Sequence, residues 1–241
     1  MADRGRSPRA RRHGSRRPVR KPSEPPRPGL ELPDAVAAEL RATARPGKGD
    51  VLVNVFSQAA AAFADGNYEE AIRLGEQAKH IALRAASVRE LLGLAYYRAG
   101  RYKEAARELS AFRRISGSTE QNPVIADCYR ASGRPERALE LCDEIDARVG
   151  PAVFYEGQIV AAGALADLGR IDDAIARLES LELRPEVARE HHVRVWYALA
   201  DLLEHRGRFT AAREWFEAAA AADPELTDAP ERVQRLARKA R

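Results

Sequence analysis

The sequence predicts an all-α fold, a solenoid of about five stacked helix hairpins. Three observations predict it. Five glycines, Gly66, Gly100, Gly133, Gly169 and Gly207, recur at intervals of 34, 33, 36 and 38 residues. Five residues after each stands an alanine (Ala71, Ala105, Ala138, Ala174, Ala212), and seven before each stands another small residue (Ala59, Gly93, Ala126, Ala162, Ala200). Around these landmarks apolar residues keep a helical spacing, and no alternating β-branched run occurs. A period near 34 with small residues at fixed offsets marks helix–turn–helix repeats. Glycine makes up only 16 of 241 residues, so five in register are not a compositional accident.

Each landmark has a physical role. The glycine ends one helix and turns the chain into the next, where a positive φ is cheap only without a Cβ. The small residues let the two helices of a hairpin cross closely. Leu92, Tyr96, Tyr102, Leu109 and Phe112 give the second repeat its apolar stripe; Trp196, Leu199, Leu203, Phe209, Phe216 and Ala219 give the fifth its own. Asn67 with Glu70 and Ser87 with Glu90 read as capping boxes. Pro123 and Pro135 suit first helical turns. Gly150-Pro151, Arg184-Pro185 and Asp223-Pro224 separate repeats, which run over 52–85, 86–118, 119–152, 155–188 and 193–226 within a repeat domain at 51–224. Residues 29–50 read as a linker with one short helix, Asp34 to Ala44, whose Val36, Leu40 and Ala44 form a stripe that suits an N-terminal cap. Residues 227–241 read as a C-terminal capping helix, with Val233 and Leu236 turned to the last repeat.

This pattern resembles the tetratricopeptide repeat (TPR) family. The last repeat matches most fully, with Trp196, Leu199-Ala200, Gly207-x-Phe209, Ala212, Phe216, Ala219 and Pro224. The second supplies Leu92-Gly93, Tyr96, Gly100-x-Tyr102 and Ala105, and the first Gly66-x-Tyr68 and Ala71. The third and fourth are degenerate: Pro135 and Ile171 replace the turn aromatic, and Asn122 and Gln158 the leading Trp. The resemblance implies a right-handed superhelix whose inner wall is built from the first helix of each repeat. On that geometry the candidate peptide contacts are Phe56, Phe63, Tyr97, Arg98, Asp127, Arg130, Asp167, Arg194, Tyr197, Asp201, Glu204 and His205, with Glu90, Glu120, Glu156 and Ile159 beside them. The wall is then aromatic and apolar at its N-terminal end and acidic at its C-terminal end. Chaperone-binding members hold a carboxylate with Lys and Asn in the first repeat and Lys and Arg in the third. Phe56, Ala60, Glu120 and Val124 stand there instead, which excludes an acidic chaperone tail as ligand. The chain also looks like small actinobacterial repeat proteins of uncertain role.

Charge divides the chain. The first 28 residues carry ten Arg or Lys against two acidic residues, a net of +8. The other 213 carry 30 basic and 34 acidic residues, a net of −4. A basic, proline-rich segment with almost no large apolar side chain is expected to be disordered. Arg9, Arg11, Arg12, Arg16, Arg17, Arg20 and Lys21 are its polyanion-binding candidates. The tail could also lie in the acidic end of the groove. Arginine is favoured over lysine throughout, with five lysines in all, which suits a high-GC bacterium.

Catalytic chemistry has little footing. The adjacent His191 and His192 point about 100° apart on a helix and make a poor chelate. Cys128 and Cys142 occupy slots filled by apolar residues in the other repeats, so both read as packing residues. No Gly-rich phosphate loop or nucleophile elbow is present. No metal and no cofactor is therefore expected, nor a membrane partner, and the expected location is cytoplasmic. The leading expectation is a non-catalytic protein-interaction scaffold with a peptide or partner helix in its groove. Two alternatives stand beside it: a nucleic-acid- or ribosome-associated adaptor using the basic tail to meet RNA or DNA, and a regulatory accessory subunit of an enzyme. Deleting residues 1–28 is expected to leave the thermal unfolding midpoint unchanged within a few degrees, because the tail lacks the apolar residues needed to join a core. A large fall in midpoint or helicity would make the tail structural.

Overall fold

The computed structural model describes residues 29–239, among which every regular element is helical. After α1 (Asp34–Thr43) come five hairpins: α2 (Gly49–Ala64) with α3 (Tyr68–Ile81), α4 (Ala86–Arg98) with α5 (Tyr102–Ser116), and α6 (Asn122–Ala131) with α7 (Pro135–Asp143). Then follow α8 (Pro151–Asp167) with α9 (Ile171–Glu179), and α10 (Glu190–His205) with α11 (Phe209–Ala222). A single 3₁₀ turn, Ala147–Val149, precedes α8, and α12 (Ala229–Lys239) ends the array. Each hairpin packs on the next through its second helix, and α12 packs on α11. The first helices also touch one another, α2 with α4, α6 with α8 and α8 with α10, and the Tyr97–Asp127 hydrogen bond joins α4 to α6. The tail's candidates from Arg9 to Lys21 lie outside the described residues.

The hairpin turns repeat one device. The five landmark glycines have φ between 70° and 82°. The residue after each donates its N–H to a carbonyl five positions back: Asn67 to Ala62 at 2.9 Å, and likewise Arg101 to Tyr96, Arg134 to Tyr129, Arg170 to Leu165 and Arg208 to Leu203. This closes the last turn of the helix and leaves no carbonyl stranded. The crossings are as tight as the small residues require. Ala59, Ala126, Ala162 and Ala200 are at most 1% exposed, and their counterparts Ala71, Ala105, Ala138, Ala174 and Ala212 are completely buried. At Gly93 even a methyl group would sit 2.5 Å from Leu109 Cγ.

Several local expectations change. Asn67 caps α3 by accepting from the Glu70 N–H at 3.3 Å, but the Glu70 carboxylate turns to Arg73 and not back to the cap. The Ser87–Glu90 box does not form. Helix α4 starts at Ala86, so Ser87 already lies inside it, and Ala85 at the cap position offers no side-chain acceptor. Glu39 of α1 supplies the acceptor, taking hydrogen bonds from Ala86 N–H at 2.5 Å and from Ser87 N–H at 3.3 Å. Tyr102 and Phe209 sit on the outside of their turns, 36% and 44% exposed, and not within the core. Pro123 and Pro135 do occupy first helical turns, and Leu236 of α12 is buried against the last repeat.

Two features of the interior carry charge or sulfur. Glu108 on α5 is 1% exposed and meets Lys79 at 3.2 Å, Arg89 at 2.5 Å and Arg107 at 3.1 Å. Burial pushes its carboxyl up, but hydrogen bonds from Arg89 and Lys79 outweigh that and hold it below the usual range. Removing one partner of so buried a group leaves an uncompensated charge, which is why such clusters persist once formed. Cys128 and Cys142 are fully buried, and burial pushes both thiols up to about 12, the behaviour of packing residues. The crossing geometry gives a direct test: Ala174→Trp overpacks a completely buried site and is expected to cost about 1–3 kcal/mol or more, measured by denaturant unfolding. Glu179→Trp, at an exposed position on the same helix, is expected to change stability by less than about 0.5 kcal/mol.

Candidate functional site

The wall formed by the first helices carries a ladder of polar contacts, each joining one repeat to the next. Glu90 of α4 accepts from Gln121, at the cap position of α6, at 2.8 Å. The Tyr97 hydroxyl donates to Asp127 at 2.7 Å. Arg130 of α6, braced by Asp127 of its own helix at 3.1 Å, reaches forward to Asp167 of the next repeat at 2.9 Å. Arg194 of α10 reaches Glu156 of α8 at 2.8 Å. These pairs lie 30 to 38 residues apart, one repeat, so they mark a single face of the array. Burial raises the carboxyl of Glu90, and the charges of Glu120 and Glu39 add to the effect. Burial likewise raises Glu156.

Both ends of this wall are closed by the chain's own helices. At the N-terminal end α1 packs on α2 and α4. Leu40 and the partly buried Leu32 and Val36 join one apolar cluster with Phe56, Val53 and Leu91. Phe56 is therefore 6% exposed and belongs to the core, not to an open groove. Phe63 and Arg98 are likewise engaged: Phe63 meets Tyr68 edge-on at 5.6 Å, and the Arg98 guanidinium lies 5.2 Å from the same ring. At the C-terminal end α12 inserts Arg232, which pairs with Asp201 at 2.6 Å and Glu204 at 2.8 Å while stacking on Phe216 at 4.6 Å. Tyr197 donates to Asp228 at 2.5 Å. The acidic end expected from the sequence is thus met in part from within, while Asp201 keeps 54% of its side chain exposed. His205 stays exposed beside Phe209 and Arg232.

Between the two closed ends lies a cleft of about 510 Å³. Its floor is Ile159, Ala162, Gly163, Ala198 and Leu202; its rim is Arg130, Arg194, Tyr197 and Asp201, with Leu226 and Thr227 at one end. Gly163 decides the shape of this floor. A Cβ there would stand 2.5 Å from Arg130 Cζ, so only glycine lets the guanidinium lie flat across α8 toward Asp167. The floor is apolar and the rim carries a few fixed charges.

The histidine pair lies nearby and is structural. His192 is buried, and its Nδ1 accepts from the Arg189 N–H at 3.0 Å, capping the start of α10. Burial lowers both His191 and His192. Among the described residues no group of three or more His, Cys, Asp or Glu could hold a metal ion, and no helix is long and apolar enough to cross a membrane.

Comparison with known proteins matches the tetratricopeptide repeat models to residues 86–111 and 160–226. The chain carries tetratricopeptide repeats over these residues. The fold agrees with solved TPR structures. A thermophilic TPR protein of Thermus thermophilus is 21% identical, with a TM-score of 0.58 over 77% of this chain and 98% of that one. YrrB, described as a TPR protein with an unusual peptide-binding site, is 16% identical, with a TM-score of 0.51 over 72% and 87%. The Vi polysaccharide export protein VexE of Salmonella typhi is 33% identical over 157 residues. That alignment takes in 63% of this chain but only 23% of VexE. The two TPR matches leave out residues 112–159, where the third repeat puts Asn122 and Pro135 at signature positions. Asn122 is nevertheless fully buried, and its side-chain amide donates to the Leu141 carbonyl of α7 at 3.2 Å, so a polar bond stands where an indole would pack.

The sequence therefore placed the TPR wall and a capping helix at each end, but not the side-chain contacts by which those helices close it. Glu39, Gly163 and Arg232 were the residues missed. Only Arg232 left a trace, as a basic residue beside Val233 on an amphipathic helix facing an acidic wall. Gly163→Ala is expected to displace the Arg130 guanidinium and break its pairing with Asp167, because the far end of a flexible side chain yields more easily than a helix. Stability should change by less than about 1 kcal/mol. NMR of the Arg130 side chain, with thermal unfolding as control, checks both halves of that expectation.

Proposed function

We propose that this TPR protein is a non-catalytic interaction scaffold whose working site is the inner-wall cleft of its last three repeats. The carrying observation is the cleft itself, an apolar floor of Ile159, Gly163, Ala198 and Leu202 rimmed by Arg130, Arg194, Tyr197 and Asp201. α1 covers one end of the wall and α12 the other, and the cleft lies on the stretch between them, sharing Asp201 with Arg232 of α12. Arg194 is 46% exposed and Asp201 54%, so each keeps charge for a ligand beyond its internal pairing. The mixed rim suits a peptide segment or helix carrying both an apolar anchor and a charged neighbour.

The test is affinity capture from the native host by the wild-type chain and by an Ile159→Glu, Arg194→Glu double variant. A partner of the cleft is expected to lose at least about 1–2 kcal/mol of binding, roughly tenfold or more. Lys103→Glu, exposed on α5 and remote from the cleft, is expected to leave capture unchanged. Equal retention by the double variant and by wild type would remove the cleft as the working site.

A further inference from the structure

Helix α1 covers a surface whose chemistry is that of a binding groove. Under it lie Phe56 and Val53 of α2 and Leu91 of α4. Beside them stands the N-terminus of α4, which has no side-chain cap of its own. Glu39 fills that gap: its carboxylate takes the Ala86 and Ser87 N–H groups and also the Ser87 hydroxyl. Ser87, Glu90 and Tyr97 share one face of α4 by their three- and seven-residue spacing. Glu90 and Tyr97 are rungs of the polar ladder. So α1 lies on the same wall that carries the cleft.

The attachment of α1 is light. Leu40 alone among its ten residues is buried. Upstream, the Leu30 N–H donates to the Ser57 carbonyl at 3.1 Å, and the Ser57 hydroxyl donates to the Leu30 carbonyl. Downstream, the Arg45 N–H donates to the Ile81 carbonyl at 3.2 Å, and Gly47, with φ of 70°, turns the chain into α2. A short helix with one buried side chain, held otherwise by these polar bonds and the exposed Arg41–Asp50 pair at 3.1 Å, belongs to the low-stability end of a structure, where local opening precedes global unfolding. The hairpins beneath it bury their crossing residues, Ala59, Ala71 and Ala105 among them, completely.

We propose that α1 is an exchangeable occupant of this surface, and that the surface docks an amphipathic helix of a partner protein. The partner helix presents two aliphatic residues four apart, as Val36 and Leu40 do, and a glutamate or aspartate beside the second, as Glu39 does. The apolar pair fills the space over Phe56 and Leu91, and the carboxylate caps α4. The proposal rests on the reading of the inner wall as the partner-binding face. It adds a second subsite with its own specificity, held closed by a tethered competitor. A tether of a few residues makes that competitor effective, because its local concentration is on the order of millimolar.

The test uses the full chain with Glu39→Gln and Leu40→Ser, and a labelled peptide of residues 29–46 as probe. The variant, with α1 undocked, is expected to bind the peptide. If α1 is open in about 1% of wild-type molecules, wild type binds it about 100-fold more weakly. A peptide carrying Glu39→Gln is expected to bind the variant at least about tenfold more weakly than the native peptide, which reads the carboxylate's part. Hydrogen exchange on wild type is expected to show α1 amides exchanging at least about tenfold faster than those of α4. Failure of the folded variant to bind the peptide would overturn the proposal. So would α1 amides that exchange only with global unfolding, a result that decides the matter even if the variant does not fold. Concentration-dependent dimers of wild type would put a second copy's α1 in the site and overturn the assignment to a partner. None of these readouts involves the cleft of the last three repeats, so the two readings fail separately.

Discussion

The close crossing of the two helices in every hairpin is the constraint on which the rest depends. At each crossing a buried alanine or glycine of the first helix stands seven residues before the turn glycine, and a buried alanine of the second helix stands five after it. A side chain larger than methyl would part the axes, and the next hairpin would lose the surface on which it stacks. A repeat cannot bury its apolar face alone, so a loosened crossing weakens its neighbours as well. The turn glycines serve the same end. Their positive φ and the bond from the following N–H fix where the second helix starts, and thereby which alanine arrives at the crossing.

Once the crossings set the spacing between repeats, the polar residues of the wall fall within reach of the next repeat. Tyr97 meets Asp127, Arg130 meets Asp167, and Arg194 meets Glu156 because each pair is separated by one repeat in sequence and one helix diameter in space. Charges that a sequence pattern offers to a ligand are therefore already shared between repeats. Such half-exposed pairs contribute little to stability one at a time, typically about 0–1 kcal/mol. Their larger effect is on register, since a hairpin slipped by one turn would leave every rung unmatched. The wall is in this sense a joint, and on the proposed reading a ligand would borrow from these pairs at modest cost.

Much of the fold was legible in the sequence, for a physical reason. The turn glycines and crossing alanines are local requirements with a fixed period, and nothing else in the chain can satisfy them. Even the third repeat, with Asn122 and Pro135 at signature positions, keeps its place because Gly133, Ala126 and Ala138 do. The two capping helices were legible too, but the contacts by which they close the wall were not. Phe56 read as a groove aromatic because the pattern places it on the first helix's inner face; what buries it is α1, a helix outside the repeat period. Ser87 read as a cap because it precedes Glu90 by three, yet the cap is Glu39, nearly fifty residues upstream. Arg232 and Gly163 act only through partners one repeat away. Contacts between unlike segments carry no period, so periodicity cannot reveal them.

The two closures differ in kind, and the difference bears on how the wall is used. Arg232 is 14% exposed, forked between two carboxylates and stacked on Phe216, and α12 also buries Leu236 in the last repeat's cluster. That end is a cap in the solenoid sense: it covers an apolar face no further repeat will cover, and its desolvated guanidinium would be costly to strip of partners. The α1 end has one buried leucine and a carboxylate bonded to backbone amides that any acid could serve. An array needs a firm cap wherever its apolar face is widest, and the last repeat, with Trp196, Phe216 and Trp215 in one cluster, is where this chain concentrates its large side chains. The first repeat buries mainly aliphatic residues and alanine. A lighter cover suffices there, and a lighter cover is one that a competing helix can displace.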